Sequence, residues 1–315
     1  MSFPFSSPGG TAVSVSAGLQ SERAEAARFD LVGIGECMVE FHSTAPLAEA
    51  TQFRKGYGGD VLNALVAAAR QGCRTAFVTR VGDDPFGAGL LSAWRDEGID
   101  TSQAPLVPGE NGVYFISVDA QGERSFTYRR AGSAASCMTA EVDAGLIASS
   151  RCLLLSGITQ AISPGARAAT LSAARIAREH GVTVAYDPNF RPNLWSSIDA
   201  AREACAELLP YVDILLPSLP ADADILPGPV HTLAAHVVVK LGEEGCHVWQ
   251  GGERSIVPAV PATVIDTTGA GDCWNGTYLA VLLRGEPAAQ AASLANTAAA
   301  AKLAHRGAIP PGSAA

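Results

Sequence analysis

The chain has 315 residues, of which 48% are hydrophobic, enough for one large domain or two smaller ones with a substantial buried core. Its net charge of −9 at pH 7 argues against nucleic acid or an anionic membrane as a partner, because both would repel it. The seven cysteines are scattered without a Cys-x-x-Cys pair or zinc-ligand spacing, so reduced thiols and a cytoplasmic location are expected.

The first 28 residues differ in composition from the rest of the chain. They are rich in Ser, Gly and Ala and contain neither a basic segment nor an apolar run as long as that of a signal peptide. We predict a flexible tail over residues 1–28 and one folded domain over residues 29–315. Phe29 to Gly35 has the apolar character of a first buried strand, and short alternating patterns from about 36 to 57 predict a small β excursion.

A double glycine, Gly58 and Gly59, precedes a run of helical composition that ends near Arg70. Glycine allows a ligand to approach the main chain closely. Asp60 and Asn63 fall in the first turn of the predicted helix, where both side chains would face such a ligand. The alternative is an ordinary turn in which Asp60 caps the helix.

Residues 74–81 predict a second strand, followed by a helix. Between about 105 and 130 the alternation returns, with strand patterns at 113–118 and 124–128 joined by a turn at 119–122. This pattern predicts a hairpin. Together with the earlier β excursion, the hairpin would form a small sheet that covers the site.

From about Ser133 onward, strand patterns and helix patterns alternate. Such alternation predicts a mostly parallel sheet with helices on both faces, and ligands bind such sheets outside the carboxyl ends of the strands. We therefore expect one rim to collect the polar and glycine residues that follow predicted strands. These are Gly157, Asp187, Asn189, Arg191, Ser218, Gly242, Gly245 and the turn from Gly269 to Asp272.

The segment from Asp266 to Asp272 combines a strand end, a glycine turn and the start of an apolar helix that runs to Leu283. Backbone amides at a helix start attract an anion, and Gly269 and Gly271 let that anion come close. The carboxylate of Asp272 could then act as a general base: it can accept a proton from a hydroxyl that attacks a phosphoryl group held by the amides. The plainer interpretation is an acid that complements the helix dipole.

The heptad Asp266-Thr-Thr-Gly-Ala-Gly-Asp272 resembles the C-terminal motif of the PfkB or ribokinase-like family of small-molecule kinases, and Gly58 to Gly72 resembles the upstream element of that family. The resemblance implies an α/β fold: a ribokinase-like three-layer α/β/α core with a mostly parallel sheet and a small β-sheet lid from about 36–57 and 105–130. It also implies ATP and Mg²⁺ as cofactors, with K⁺ as a further candidate. Pairing of lid edges between subunits would give a homodimer or larger homo-oligomer.

The family motifs also imply roles for individual residues. Asp272 is expected to be the catalytic base, and the turn Gly269-Ala270-Gly271 is expected to form the anion hole for the γ-phosphate. Asp266 and Thr268 would lie near a monovalent-cation site. The resemblance assigns the nucleotide side of the site to Asn189, Ser218, Lys240, Gly242, Gly245 and Asn296.

One element departs from the family pattern. The family commonly carries an Asn-x-x-Glu element that helps to hold magnesium, whereas this chain has Pro217-Ser-Leu-Pro-Ala-Asp222-Ala-Asp224 after the corresponding strand. Asp222 and Asp224 are both candidates for the missing carboxylate, and neither has the usual spacing.

Several stretches resemble the bacterial 2-keto-3-deoxygluconate kinases of this family, among them Tyr128-Arg-Arg-Ala-Gly-Ser133 and Asp187-Pro-Asn-Phe-Arg191. This resemblance implies ATP-dependent phosphorylation of the sugar acid to its 6-phosphate. Arg129 and Arg191 offer planar, permanently charged groups for its carboxylate, whereas we interpret Arg130 as surface charge or part of a structural ion pair. The predicted acceptor side comprises Gly58, Gly59, Asp60, Asn63, Tyr114, Tyr128, Arg129 and Arg191.

Two other functions stay open. The Asp-Pro-Asn-Phe-Arg stretch is also similar to fructokinases, so a kinase of a neutral sugar or of a nucleoside is the first alternative. The second is a non-catalytic sugar-binding relative, against which the intact Asp272 and its glycines argue.

Overall fold

The structure is a computed structural model that describes residues 27–118 and 124–310. Nearly all of the predicted N-terminal tail, and the predicted hairpin turn at 119–122, therefore lie outside the described residues. The strands are β1 (Phe29–Ile34), β2 (Met38–His42), β3 (Arg54–Gly58), β4 (Thr75–Val78), β5 (Val81–Gly82), β6 (Ile99–Asp100), β7 (Leu106–Val107), β8 (Gly112–Val118), β9 (Arg124–Arg129), β10 (Ser150–Ser156), β11 (Thr183–Asp187), β12 (Ile214–Leu215), β13 (His236–Lys240), β14 (Cys246–Gln250) and β15 (Glu253–Val257). The α-helices are α1 (Asp60–Arg70), α2 (Gly87–Asp96), α3 (Ala144–Ala148), α4 (Gly157–Ile162), α5 (Pro164–Glu179), α6 (Ile198–Leu208), α7 (Ala270–Leu283) and α8 (Ala288–Leu303).

The largest sheet has nine strands in the order β15-β14-β13-β12-β11-β10-β1-β4-β6. Neighbours are parallel except at one edge, where β13, β14 and β15 run antiparallel to one another in turn. Side chains alternate across the sheet: Leu154 packs with α1, α2, α7 and α8 on one face, whereas Leu153 and Leu155 pack with α3, α5 and α6 on the other. The predicted three-layer α/β/α core is confirmed.

Two details of the elements were not predicted from the sequence. Strand β12 is short for a strand in the middle of the sheet: only Ile214–Leu215 pairs with its neighbours, and Pro217, which has no amide to donate, comes two residues later. Helices α3 and α4 have no counterpart among the predictions. Helix α4 starts at Gly157, where a Cβ atom would lie 2.0 Å from the carbonyl oxygen of Pro188. None of the helices in the described ranges is both long and apolar enough to cross a membrane.

Strands β3, β2, β8 and β9 form a separate four-stranded sheet in that order, which confirms the predicted small sheet. An aromatic cluster anchors one face of this sheet to the domain. The ring of Phe41 lies 5.7 Å from that of Phe115 and 5.9 Å from that of Phe86, which precedes α2. The small sheet is thereby held over the region where α1 begins.

The opposite face of the small sheet carries polar and aromatic side chains. Glu40 and Tyr114 are cross-strand partners, as are Tyr114 and Tyr128. A Cβ atom at Gly58, the last residue of β3, would lie 2.6 Å from the Tyr114 hydroxyl, so Gly58 leaves room for Tyr114 on this face. The small sheet and the start of α1 therefore border the same space.

Helices α1 and α7 cross at unusually close range. A Cβ atom at Gly276 would lie 1.9 Å from the carbonyl oxygen of Ala64, a distance that no side chain can occupy. The missing side chain lets the two helices touch along their backbones. Asn63, next to Ala64, then reaches the first turn of α7 and meets Asp272.

Replacing Gly276 with Ala should destabilise the fold, because the added methyl group meets the Ala64 carbonyl and separates α1 from α7. We expect the free energy of unfolding to fall by about 1–3 kcal/mol, the usual cost of overpacking, in urea denaturation. Gly89→Ala is the matched control, since Gly89 also lies in a helix but has no neighbouring atom within 4 Å of its Cβ position. That control should be neutral or slightly stabilising. Equal losses in both variants would contradict the packing argument.

Candidate active site

The rim of the large sheet collects the ends of three strands: β10 ends at Ser156, β11 at Asp187 and β13 at Lys240. Helices α1 and α7 begin at the same rim and bring Asp60 and Asp272 to it. Parallel strands all present their carboxyl ends on one side, and this explains why segments far apart in the chain meet here.

Lys240 lies within the protein and joins β11 to α7. Its ammonium donates to Asp187 Oδ2 at 2.8 Å and to Asn275 Oδ1 at 2.9 Å, and Asn275 Nδ2 donates to the same Asp187 oxygen at 2.5 Å. Lys240 and Asp187 are only 8% and 6% exposed. A buried ion pair of this kind depends on complete hydrogen bonding. Lys240 is thus paired with Asp187 within the protein, and its nucleotide-side role stays a prediction.

Asp60 is the first residue of α1 and faces β10 and β11. Its Oδ2 accepts hydrogen bonds from the Ser156 hydroxyl and from Asn189 Nδ2, the latter at 3.0 Å. Its other oxygen, Oδ1, is buried and has no hydrogen-bond partner among the described residues. Burial and the negative charge of Asp187 raise the pKa of Asp60. A buried acceptor without a partner indicates a place for a ligand hydroxyl.

The turn before α7 has the shape of an anion hole. Gly269 has φ +73°, a left-handed conformation that favours glycine, and a Cβ atom there would lie 2.7 Å from the Ala308 carbonyl oxygen. The Ala270 amide turns back to Thr267 O at 3.2 Å. The first amides of an α-helix have no intrahelical acceptor, so those of Gly271 and Asp272 are suited to an anion at this positive helix end.

Asp272 lies in the first turn of α7; the residue is partly accessible at the surface, but protein atoms surround most of its carboxyl group. Asn63 Nδ2 donates to its Oδ2 at 2.8 Å, which orients the carboxylate. Burial raises the pKa of Asp272 to about 7, with the negative charge of Asp60 as the next cause. A carboxylate whose pKa is near neutrality is well matched to accept a proton from a hydroxyl.

On the acceptor side, the Tyr114 and Tyr128 rings stack with their centroids 5.7 Å apart. The Tyr114 hydroxyl donates to Glu40 and is thus engaged within the small sheet. Arg130 covers the Tyr128 ring, with Cζ 4.5 Å from the ring centroid. Its Nη1 donates to Glu36 Oε1 at 2.5 Å, so the guanidinium lies between the small sheet and the end of β1.

Glu36 follows β1 and is 2% exposed. Burial raises the pKa of Glu36 to about 7; Arg130 opposes this rise, and the charge of Asp60 adds to it. Glu36 Oε2 and Arg130 Nε are both buried without a hydrogen-bond partner in the described part of the chain. The sequence prediction omitted Glu36 and Ser156 from the site. Glu36 follows β1 and Ser156 ends β10, and a polar residue at the carboxyl end of a parallel strand is a pattern that could have identified both.

Arg129 and Arg130 face opposite sides of the small sheet, and Arg130 forms a structural ion pair with Glu36, one of the two roles predicted for it. Arg129 is exposed and donates to the Tyr128 carbonyl at 3.0 Å. Side chains alternate along an extended chain, so Arg130 shares the side of Tyr128 and Arg129 takes the opposite side. The assignment of Arg129 to the acceptor pocket is therefore corrected to Arg130. Arg191 follows β11 and is exposed. Burial raises the pKa of Tyr128, and the positive charges of Arg130 and Arg191 offset part of that rise, so Arg191 lies near Tyr128.

The loop after β13 fits the predicted nucleotide side. Gly242 and Gly245 have φ +60° and +95°, and a Cβ atom at Gly245 would lie 2.2 Å from Val257 O.

Two other residues predicted for the nucleotide side make contacts within the protein. Asn189 faces Asp60, as described above. Asn296 is buried, since its Oδ1 accepts from Trp274 Nε1 at 2.7 Å and its Nδ2 donates to Pro258 O at 2.8 Å. The Asn296 amide is therefore used within the core, and the nucleotide-side position of Asn296 stays a prediction.

Neither carboxylate proposed for magnesium occupies an obvious metal position. Asp222 is fully buried and accepts from the amides of Phe190 at 2.8 Å and Ser218 at 2.7 Å, so it fixes the loop that follows β12. Asp224 is exposed. Over the described ranges, no group of three or more His, Cys, Asp or Glu side chains is arranged to hold a metal ion.

Comparison with known proteins identifies the family. The family described as pfkB family carbohydrate kinase matches residues 28–314. The chain belongs to the pfkB family of carbohydrate kinases. The 2-dehydro-3-deoxygluconokinase of Escherichia coli K12 is 38% identical over 302 residues, which cover 88% of this chain and 96% of that protein. Fructokinase-1 of Oryza sativa subsp. japonica is 33% identical, with 89% of this chain and 93% of that protein covered.

The same comparison extends to solved structures. An Escherichia coli protein described as a candidate ribokinase II, in complex with ATP and Mg²⁺, has a TM-score of 0.83 and 24% sequence identity, and the match covers 89% of this chain and 94% of that one. This likeness supports the ribokinase-like fold. Family membership and the kinase-named relatives make this pfkB protein an ATP-dependent sugar kinase.

Asp272→Asn should lower kcat by roughly 10²- to 10⁴-fold, the usual range for loss of a general base, and leave ATP binding in place. The amide keeps the size of the side chain and can still accept from Asn63, so binding and chemistry are separated. Steady-state kinetics and calorimetric titration with nucleotide measure the two effects. Asp199→Asn is the control, because Asp199 is 83% exposed on α6. Turnover of the Asp272 variant within about threefold of wild type would contradict the assignment.

Proposed function

We propose that this kinase transfers the γ-phosphoryl group of ATP to the 6-hydroxyl of 2-keto-3-deoxygluconate. The observation that carries the proposal is the largely buried guanidinium of Arg130 on the acceptor side, with Arg191 close by. An acid acceptor requires such charges, because a carboxylate is buried only when it is paired and hydrogen-bonded. The relatives named 2-dehydro-3-deoxygluconokinase support the same choice, since that name denotes a kinase of this compound.

Arg130 keeps positive charge for a ligand although it contacts Glu36. Burial raises the pKa of Glu36 to about 7, so its carboxylate is a weaker partner for the guanidinium at neutral pH than an ordinary glutamate would be. The guanidinium is then not fully neutralised, and its Nε donor has no partner among the described residues. The carboxylate of the sugar acid would accept from this guanidinium, while Glu36 Oε2 and Asp60 Oδ1 would meet hydroxyl groups.

In the proposed reaction, the oxygen of the 6-hydroxyl forms a bond to the γ-phosphorus and the bond from that phosphorus to the bridging oxygen of ADP breaks. Asp272 accepts the hydroxyl proton. Amides at the start of α7 stabilise negative charge on the transferred group. Asn63 keeps the carboxylate oriented through its 2.8 Å hydrogen bond. The small sheet covers the acceptor and limits access of water.

We also propose that Mg²⁺ accompanies ATP. Mg²⁺ keeps several waters and is commonly bound by substrate phosphates with one or two carboxylates. That mode suits this site, because Asp222 already accepts hydrogen bonds from two amides, and the phosphates and waters would then supply most of the magnesium ligands. The ion would neutralise phosphate charge and orient the triphosphate. The ATP and Mg²⁺ complex of the E. coli structure with the same fold supports this proposal.

The proposed enzyme is a cytoplasmic homodimer or larger homo-oligomer. Its small sheet has two edge strands, β3 and β9, and edge strands offer unpaired backbone groups to another chain. Phe53 and Phe126 are each 40% exposed on or beside these strands. Apolar side chains at an exposed sheet edge favour pairing with a second copy.

A fructokinase-like function is the second candidate. Fructokinase-1 of rice is 33% identical to this chain, and the Asp187 to Arg191 stretch is common to both substrate classes by resemblance. For a neutral sugar, Arg130 would act only as the ion-pair partner of Glu36. The two candidates therefore differ in what Arg130 does for the acceptor.

Arg130→Ala should lower kcat/KM for 2-keto-3-deoxygluconate roughly ten- to a hundredfold, because a charge-assisted hydrogen bond is worth about 1.5–3 kcal/mol. Residual activity on fructose should change little. Arg129→Ala is the matched control, since it removes the same side chain one residue away on the exposed side. Kinetics with both acceptors measure the effect. A wild-type preference for fructose, or equal losses on both acceptors in the Arg130 variant, would favour the fructokinase alternative.

A further inference from the structure

A buried lysine lies beneath the anion-hole turn, where the sequence predicts a monovalent-cation site. Lys302, near the end of α8, is only 2% exposed. Its ammonium donates to the carbonyl oxygen of Asp266 at 2.9 Å and to that of His305 at 3.3 Å. The Asp266 carbonyl precedes the turn that starts α7, and the His305 carbonyl lies in the segment that follows α8. A positive charge is therefore built into this position.

The oxygens around Asp266 are already engaged, and a K⁺ ion would need several of them as ligands. Asp266 Oδ1 accepts from the Thr268 amide at 2.8 Å, and Oδ2 accepts from the Gly307 amide at 2.9 Å. The carbonyl of Leu303 accepts from the amides of Ile265 and Asp266, at 2.8 and 3.0 Å. Thr268 Oγ1 is the exception, since it is buried without a hydrogen-bond partner among the described residues. The hydrogen bonds of Asp266 and Leu303 favour the resident ammonium over an additional monovalent cation, and the roles of Asp266 and Thr268 near such an ion stay predictions.

We propose that the ammonium of Lys302 takes the place of a monovalent cation in this kinase, so that activity does not depend on K⁺. Lys302 ties Asp266 to the end of α8, and Asp266 in turn holds Gly307. Ala308, the next residue, packs against Gly269 in the anion-hole turn. A permanent charge at this point fixes the turn and adds positive potential near the transferred phosphoryl group.

The charges near Asp266 agree with this arrangement. Burial alone would raise the pKa of Asp266, but hydrogen bonds from Thr268 and Gly307, together with the positive charge of Lys302, bring it below its usual value. The lowered pKa keeps the carboxylate ionised, and its negative charge offsets part of the positive charge of Lys302. The ammonium itself donates to the two main-chain carbonyls, of Asp266 and His305, which satisfy part of its hydrogen-bonding capacity.

The first test compares rates of the wild-type protein in KCl and in tetramethylammonium chloride at equal ionic strength. We expect the rates to differ by less than about threefold, because the resident cation cannot dissociate. Activation by K⁺ beyond that factor would overturn the proposal. This comparison requires no variant and is unaffected by any folding defect.

The second test removes the ammonium. Lys302→Ala should lose roughly 10- to 100-fold in kcat in tetramethylammonium chloride, and KCl should restore much of the loss by placing an ion in the vacated volume. Lys302→Met is the matched control: it removes the charge but fills the volume, so KCl should not restore it. A folded Ala variant that keeps its full rate without K⁺, or that KCl fails to rescue, would contradict the proposal.

Thermal unfolding supplies a reading that is independent of turnover. KCl in place of tetramethylammonium chloride should raise the Tm of Lys302→Ala by roughly 2 °C or more and leave that of wild type unchanged, because an ion that binds the folded state stabilises it. Equal shifts in both proteins would contradict the proposal. The identity of the sugar acceptor does not enter this measurement, so failure of the proposed function would leave its outcome unchanged.

Discussion

Asp60, Asp187 and Asp272 share one rim of the large sheet with the buried ammonium of Lys240. The ammonium is hydrogen-bonded to Asp187 and Asn275, so it offsets the charge of Asp187 more directly than that of the other two carboxylates. Asp60 and Asp272 then repel each other in a poorly solvated place. Burial raises the pKa values of both carboxyl groups, that of Asp272 to about 7, and neighbouring negative charges add to the rise. A proton acceptor suited to neutral pH therefore arises from burial together with the arrangement of charges in the site.

The fold maintains this arrangement through one very close contact. Asn63 and Asp272 are 209 residues apart in the chain and are joined by a 2.8 Å hydrogen bond. That bond requires α1 and α7 to approach as closely as the missing side chain of Gly276 allows. The anion hole depends on the same helix, since Gly269 and the first amides of α7 form it. Helix packing, proton acceptance and phosphoryl binding are thus properties of a single helix start.

Local sequence motifs predicted much of the site. The glycine turn before Asp272 and the double glycine before Asp60 have requirements that can be read along the chain: close backbone approach and a helix start. Alternation of strands and helices was sufficient to predict the parallel sheet and the rim at which Asp60, Asp187 and Asp272 meet. The small sheet was likewise predicted from its period-two patterns, and its four strands are confirmed.

The features that the sequence did not predict depend on the assembled fold. Choosing Arg129 over Arg130 requires knowing which side of β9 faces the site, and a shift of one residue reverses that side. Lys302 has the pattern of an ordinary basic residue at a helix C-terminus, and its burial follows from the path of the chain after α8. Lys240 and Asn296 are polar residues that the core uses internally, and local sequence does not distinguish them from ligand contacts.

A direct titration of Asp272 tests the central claim, that burial and the charge of Asp60 set a base near neutrality. Aspartate labelled with ¹³C at Cγ would be followed by NMR as pH is varied, with Asp272→Asn used to assign the resonance. The account predicts that Asp272 ionises as pH rises through about 7, and that Asp60→Asn lowers this midpoint by removing the second cause of the shift. A midpoint near the ordinary aspartate value of about 4 in the wild-type protein would contradict the account.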